Sequence, residues 1–283
     1  MSKPSTLFKA RKLLIGMVHV GALPGTPGSR LSVPQLADRA AAEASLLRKA
    51  GFDAIIVENM HDRPYVHQDH GPEIVAAMTA VVIAVRQAVE SGAGRRASSG
   101  GLPIGIQVLS GGNREALGIA LAAGLQFIRC ENFVFAHVAD EGLLPTAEAG
   151  PLLRYRRHIG AAHIHVMCDI KKKHASHAIT ADVSLPEAAA AAEFFGADGV
   201  IVSGTATGRP TDPDDVLRAR QGCGLPVWVG SGVTPENIPS LIGQADALIV
   251  GSWLKKSGRW ENPVDSNRAA AIVRTFRQSI RNR

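Results

Sequence analysis

Four stretches of this chain are near copies of one another: residues 50–59 (AGFDAIIVEN), 123–132 (AGLQFIRCEN), 195–204 (FGADGVIVSG) and 243–252 (GQADALIVGS). The first three recur at roughly 72 residues, from Gly51 to Gly124 to Gly196, a spacing that holds two strand–helix units of about 36 residues each. Each copy ends a helical pattern at a glycine or polar residue, runs apolar and β-branched for about five residues, then turns polar. These copies supply strands β2, β4, β6 and β8. Residues 13–19 (LLIGMVH), 102–108 (LPIGIQV), 163–169 (HIHVMCD) and 225–231 (LPVWVGS) lie between them and supply β1, β3, β5 and β7. Helix starts fall in the gaps: Ser32 with Pro34, Gly71-Pro72-Glu73, a capping box from Ser184 to Glu187, and Thr234-Pro235-Glu236. Strict alternation of strand and helix demands a parallel sheet. About eight units with a quarter repeat favour closure over an open doubly wound sheet, so the expected fold is a single-domain (β/α)8, or TIM, barrel over residues 1–283. That length is near the roughly 250 residues typical of the fold.

Composition narrows the function classes. Hydrophobic residues make up 46% and charged residues 20% of the chain, proportions of a folded α/β domain and not of a disordered one. No apolar run in the sequence approaches the roughly 18 to 20 residues of a membrane span, so no membrane insertion is expected. Lys3, Lys9 and Arg11 precede the first strand in a segment too short and polar for a secretory signal, and Cys130, Cys168 and Cys223 form no CxxC or zinc spacing. A cytoplasmic protein without structural disulfides is the reading. The net charge of +6 suits an anionic small ligand or nucleic acid. Aromatic content of 5%, with the basic excess at Arg274, Arg277, Arg281 and Arg283 in helical spacing, argues against nucleic acid.

Chemistry in such a barrel sits at the C-terminal strand ends. The repeat aligns Glu58, Glu131, Ser203 and Gly251 at one tip position, followed by Asn59, Asn132, Gly204 and Ser252. Carboxylates therefore crowd one side and small residues the other, where backbone N–H groups approach an anion closely. Gly230, Ser231 and Gly232 after β7 lead towards a helix start, and with Gly251 and Ser252 after β8, and Ser203 and Gly204 after β6, they form the expected phosphate site. Residues 205–209 are placed to cover the same group.

On β5, Asp169, Lys171 and Lys173 share the parity expected to face the mouth, and a lysine among 171–173 is expected to have a lowered pKa, as a base or Schiff-base nucleophile. A solvated basic loop is the plain alternative. Arg129 aligns with Ile56, Ile201 and Ile249, inside the barrel, where Glu58 and Glu131 are its expected partners. His19 ends β1 ahead of the glycine- and proline-rich segment 21–28, a loop able to close over a ligand. The long apolar loop 133–144 reads as a second lid or a homo-oligomer contact. No cofactor is predicted; His174 and His177 with Asp169 or Glu58 leave room for a divalent metal.

The segments 17–28 (MVHVGALPGTPG), 53–59 (DAIIVEN), 154–160 (RYRRHIG), 169–175 (DIKKKHA), 201–210 (IVSGTATGRP), 229–237 (VGSGVTPEN) and 262–265 (NPVD) resemble the BtpA/SgcQ family along almost the whole chain. That resemblance implies a ribulose-phosphate-binding type of barrel, with the family's Asp-x-x-x-Lys-His of β5 falling on Asp169, Lys173 and His174. It brings two different functional labels, a photosystem I biogenesis factor and a member of a bacterial sugar-utilisation operon. Some relatives are named phosphoribosylanthranilate isomerase, an enzyme with a cysteine base ending β1 and an aspartate acid on β5. This chain has Val18-His19 at the first place and Asp169 at the second, so half of that pair is missing. The β3 and β4 ends, Gln107-Val108-Leu109-Ser110-Gly111 and Cys130-Glu131-Asn132-Phe133, also depart from the bacterial pattern. The sequence reading is thus an enzyme, an isomerase, lyase or hydrolase, acting on a phosphorylated sugar or nucleoside-type compound. Candidate catalytic residues are Asp169, Lys173, Glu58, His19, Glu131, His174 and Lys171. The alternatives are a non-catalytic assembly factor and a flavin mononucleotide-binding protein.

Overall fold

In the computed structural model, which describes residues 12–91, 101–172, 174–204, 208 and 210–281, each apolar run forms a strand. They are β1 Leu13–His19, β2 Ala54–Glu58, β3 Ile104–Gln107, β4 Phe127–Cys130, β5 His165–Lys171, β6 Gly199–Val202, β7 Val227–Val229 and β8 Ala247–Val250. All neighbours are parallel and β8 pairs back onto β1, closing a (β/α)8 barrel in chain order. The helices between and after them are α1 Val33–Ala50, α2 Pro72–Ser91, α3 Asn113–Ala123, α4 Ala149–His158, α5 Leu185–Phe194, α6 Pro213–Gly222, α7 Ile238–Leu241 and α8 Ser266–Arg281. Residues 1–11, 92–100, Lys173, 205–207, Arg209 and 282–283 lie outside the described residues.

A parallel strand covered by helices must be apolar on both faces, and alternate side chains here divide cleanly between two cores. Leu13, Ile15 and Met17 of β1 point inward with Ile56, Ile201, Trp228 and Ile249, whereas Leu14 and Val18 face the helices. The interior is filled by pairing very large with absent side chains. Phe127 lies in register with Gly105 and Met167 with Gly199, and a Cβ on either glycine would collide with that partner. Phe127 then meets Trp228 edge to face, with centroids 5.5 Å apart.

The repeat has a physical role at the opposite, N-terminal end of the barrel. Asp53, Gln126, Asp198 and Asp246 hold the same position in the four copies, and each accepts the backbone N–H of the preceding strand. Asp53 takes it from Leu14 at 2.9 Å, Gln126 from Ile104 at 2.8 Å, Asp198 from Val166 at 2.8 Å and Asp246 from Val227 at 2.9 Å. An arginine neutralises each of the three carboxylates: Arg277 at Asp53, Arg156 at Asp198 and Arg220 at Asp246. The basic tail is thus partly committed inside the fold.

Helix signals are met at Ser32 and Ser184, both capping boxes, and at Gly51 and Gly124, both left-handed C-caps. Two differences stand out. Helix α7 begins only at Ile238, not at Thr234, and lasts four residues, because the Asn237 side chain folds back to bond the Thr234 N–H and the Gly232 carbonyl. Helix α2 is long and apolar enough by composition to cross a membrane. Its Ile74, Met78, Val81, Val82 and Val85 are instead buried in the outer core of the barrel.

The loop after β4 carries an antiparallel hairpin, His137–Ala139 with Gly142–Leu144, to which Ala175–Ser176 adds a third strand. It leaves Val138 and Leu143 exposed.

Asp198→Ala should lower the unfolding free energy at pH 7 by roughly 2–3 kcal/mol, since a buried N–H loses its acceptor and Arg156 its partner. Burial pushes the Asp198 carboxyl up, but His165, the Val166 N–H and Arg156 together hold it below the usual range. Denaturation of both proteins across pH should therefore show a full difference at neutrality that shrinks as pH falls below the unfolded carboxylate pKa of about 3.9.

Candidate functional site

The mouth of the barrel is organised by one buried ion pair. Arg129, 3% exposed, presents Nε and Nη2 to Asp169 Oδ2 and Oδ1 at 2.8 and 2.9 Å, a bidentate pair that Ser203 Oγ completes at 3.3 Å from Asp169 Oδ1. Burial opposes the guanidinium's charge, but Asp169 outweighs it and raises its pKa. This corrects the expectation that Glu58 and Glu131 partner Arg129. Register places Met167 beside Arg129, so Asp169 stands one pleat above on the adjacent strand, while the two glutamates turn to other groups. Glu131 accepts the Gly111 N–H at 2.9 Å and faces Lys172 Nζ at 3.5 Å; Glu58 faces His19 Nε2 at 3.6 Å.

Lys172, and not Lys171, enters the mouth. The β5–β6 pairing shifts register between Asp169 and Lys171, and an irregularity of one residue reverses which face later side chains take. Lys171 accordingly points outward, 3.9 Å from Asp215, with its side chain 49% exposed. Lys172 lies between Glu131 and Glu141, 3.5 Å from each, and 3.5 Å from Ser110 Oγ. Crowded lysines were expected to show a lowered pKa. Burial does act in that direction on Lys172, but the two glutamates outweigh it and raise the pKa. Lys173 lies outside the described residues.

On the far side, Gly230, Ser231, Gly232, Gly251 and Ser252 line one cavity with His19, Glu58, Arg129 and Gly208. Position 230 accepts no side chain, because a Cβ there would collide with Ser203 Oγ, so the backbone itself forms the wall. Gly204 donates its N–H to Ser231 Oγ at 2.8 Å and thereby fixes the β7 loop. Ser203 bonds to the Arg129–Asp169 pair below. The one-turn α7 starts too far along the chain to contribute the expected helix dipole, so this wall of the cavity is loop backbone.

His19 Nδ1 lies 3.3 Å from the Trp260 carbonyl, which calls for a proton on that nitrogen and leaves Nε2 towards Glu58. Trp260, in the loop after β8, meets the His61 ring at 4.9 Å and carries the Arg63 guanidinium over its face at 4.6 Å. A second, larger cavity adjoins the first through Glu58 and Met60, which line both. Its other walls include Gln107, Glu131, Glu141, Lys172 and Trp260. The expected metal ligands do not converge. His174 Nδ1 is 3.8 Å from the exposed Asp140, His177 faces the Lys172 carbonyl, and Asp169 is engaged by Arg129. Among the described residues no three His, Cys, Asp or Glu side chains form a metal-holding group.

The chain thus brings together His19, Glu58, Glu131 and the glycine tips, with Asp169 beneath them; His174 lines the larger cavity, and Lys171 turns outward. Lys172 and Trp260 were not singled out from sequence. Lys172 is hidden by the register shift, and Trp260 lies far along the chain in a loop with no periodic signal.

Residues 10–278 match the BtpA family. An uncharacterised mitochondrial protein of Caenorhabditis elegans is 43% identical, covering 95% of this chain and 94% of its own. The photosystem I biogenesis protein BtpA of Synechocystis is 32% identical, covering 98% of this chain and 92% of its own. Among solved structures, the (S)-3-O-geranylgeranylglyceryl phosphate synthase of Thermoplasma acidophilum, in complex with sn-glycerol-1-phosphate, shares the barrel fold. Its TM-score is 0.59 at 17% identity, covering 98% of this chain and 99% of that one.

Two outcomes are expected. Arg129→Met should cost about 3–5 kcal/mol in chemical denaturation by stranding Asp169, far more than Glu58→Gln, and adding Asp169→Leu to it should recover part of that loss. His137, the first residue of the hairpin, has its pKa pushed down to about 4 by burial, Lys172 and His177. An unfolded histidine takes its proton near pH 6.5. Stability should therefore fall as pH drops from about 6.5 towards 4, and His137→Gln should flatten that slope.

Proposed function

The chain belongs to the BtpA family, and from that premise we propose that it is an enzyme of small phosphate esters, holding the phosphoryl group over β7 and β8 and moving protons with His19 and Glu58. The observation that carries this reading is one cavity lined both by the glycine backbone at 230–232 and 251–252 and by that acid–base pair. Close backbone N–H groups bind an anion without the desolvation that two facing carboxylates would impose. With its Nδ1 proton directed at Trp260, His19 turns Nε2 towards Glu58, 3.6 Å away, so an acid and a base stand side by side at the glycine tips. A pair that gives and takes one proton beside a bound ester suits isomerisation, elimination or hydrolysis.

Arg129 gives the floor of the cavity a fixed positive charge, and Asp169, with both oxygens engaged, positions that guanidinium. The solved synthase of the same fold holds a glycerol phosphate, which supports an ester as ligand. Three free thiols, two of them buried, suit the reducing cytoplasm. A second reading, a non-catalytic factor that senses an ester in the same cavity, draws support from the name of the Synechocystis relative.

Ribose 5-phosphate should raise the melting temperature where ribose does not, by the equivalent of about 2.7 kcal/mol at a hundred times its Kd. Ser252→Asp should remove the effect. A panel of phosphate esters that leaves stability unchanged would sink the phosphate reading. For an ester that is turned over, His19→Asn and Glu58→Gln should each lower kcat about 100-fold or more while stabilisation persists. Stabilisation by esters with no turnover in any assay favours the sensing factor.

A further inference from the structure

The larger cavity differs from the one at the glycine tips in what it leaves open to a ligand. Each charged side chain among the described residues of its wall already meets a partner. Lys172 lies between Glu131 and Glu141, His174 faces Asp140, Glu58 faces His19, and Arg63 lies over Trp260. The polar groups of its apolar residues are engaged as well. Tyr65 donates its hydroxyl to the Met60 carbonyl at 2.7 Å, the Leu109 N–H and carbonyl both bond to the Asn59 side chain, and the Trp260 carbonyl faces His19. Most of the surface that the cavity presents is carbon, with Met60, Tyr65, Leu109 and Trp260 as its apolar lining. These contacts also hold the wall in place ahead of any ligand: Tyr65 by Met60, Leu109 by Asn59, and the Trp260 ring by His61 and Arg63.

A charged group entering this cavity has to compete with pairs already made, and a bare sugar brings hydroxyls on every side to a wall whose polar groups are engaged. Both lose water without full replacement. An uncharged flat ring loses little, and Tyr, Trp and Met are side chains well suited to contact one. Resting on the phosphate reading above, we infer that the ligand is a phosphate ester carrying an uncharged, planar unsaturated ring, with its phosphoryl group over β7 and β8 and its ring in the larger cavity against Tyr65, Leu109 and Trp260. Glu58 and Met60 line both cavities, so the atoms connecting phosphate to ring pass the His19–Glu58 pair. The bonds within reach of that pair then lie between two separately recognised ends of the ligand.

The test is titration calorimetry of the full chain at pH 7 with three probes of one skeleton. Ribose 5-phosphate is the reference; uridine 5′-phosphate adds an uncharged flat ring to it, and 5,6-dihydrouridine 5′-phosphate keeps that ring's polar edge while removing its flatness. Uridine 5′-phosphate should bind at least about tenfold tighter than ribose 5-phosphate, or about 1.4 kcal/mol, and the dihydro form should lose at least about threefold of that gain. In Tyr65→Leu the preference for uridine 5′-phosphate over ribose 5-phosphate should fall below about threefold. Trp260→Leu should reduce the same ratio and serves if Tyr65→Leu does not fold. If uridine 5′-phosphate binds no tighter than ribose 5-phosphate, the ring inference is overturned and the phosphate site stands. Binding of none of the three at millimolar concentration overturns both. Equal affinity of the uridine and dihydrouridine esters overturns the planarity assigned to the ring, and an undiminished preference in both variants overturns its place in this cavity.

Discussion

A guanidinium inside a barrel otherwise packed with Ile, Met, Phe and Trp has to be compensated, and the pairing of Arg129 with Asp169 is what the rest of the mouth arranges itself around. The pair ties β4 to β5, and through Ser203 it reaches β6. It also decides the orientation of the glutamates. With Asp169 occupying the arginine, Glu58 turns to His19 and Glu131 to Lys172 and the Gly111 N–H. An ion pair this buried adds little net stability over a well-packed apolar pair, so its retention at the floor of a cavity is better explained by geometry: it holds a fixed charge where a rotamer change would be costly.

Above that floor the two halves of the rim differ in kind. Around β6 to β8 the chain presents backbone, because glycines at 230, 232 and 251 withdraw side chains from the wall. Around β2 to β5 it presents long side chains, held by mutual contacts that run through Lys172 to the hairpin residue Glu141. That lysine connects the strand tips to the loop above them, so the hairpin's position and the electrostatics of the larger cavity are coupled.

Much of this was legible in the sequence where a local rule acts alone. The alignment of four copies put Glu58, Glu131, Ser203 and Gly251 at the strand tips, and the capping boxes at Ser32 and Ser184 marked two helix starts. Strand parity worked as far as Asp169 and failed immediately after it, because a register shift has no signature in a run of three identical lysines. The start of α7 failed for a related reason: Pro235 and Glu236 are good helix openers, yet the Asn237 side chain satisfies the loop first. The partner of Arg129 was out of reach of an alignment of even-numbered strands, since Asp169 comes from an odd one.

The carboxylate and amide latches at the closed end of the barrel join β1 to β2, β3 to β4, β5 to β6 and β7 to β8, always within one copy of the repeat. Across two of the seams between copies, from Ile55 to the Pro103 carbonyl and from Val200 to that of Pro226, the same level is bridged by main-chain bonds, and at the seam of β8 with β1 Lys12 adds its side chain to the Ala245 carbonyl and Asp246. The molecule is in this sense four internally latched modules laid edge to edge. New termini opened at a seam by circular permutation would leave every latch intact, whereas termini opened inside a module would separate the two strands that its latch joins.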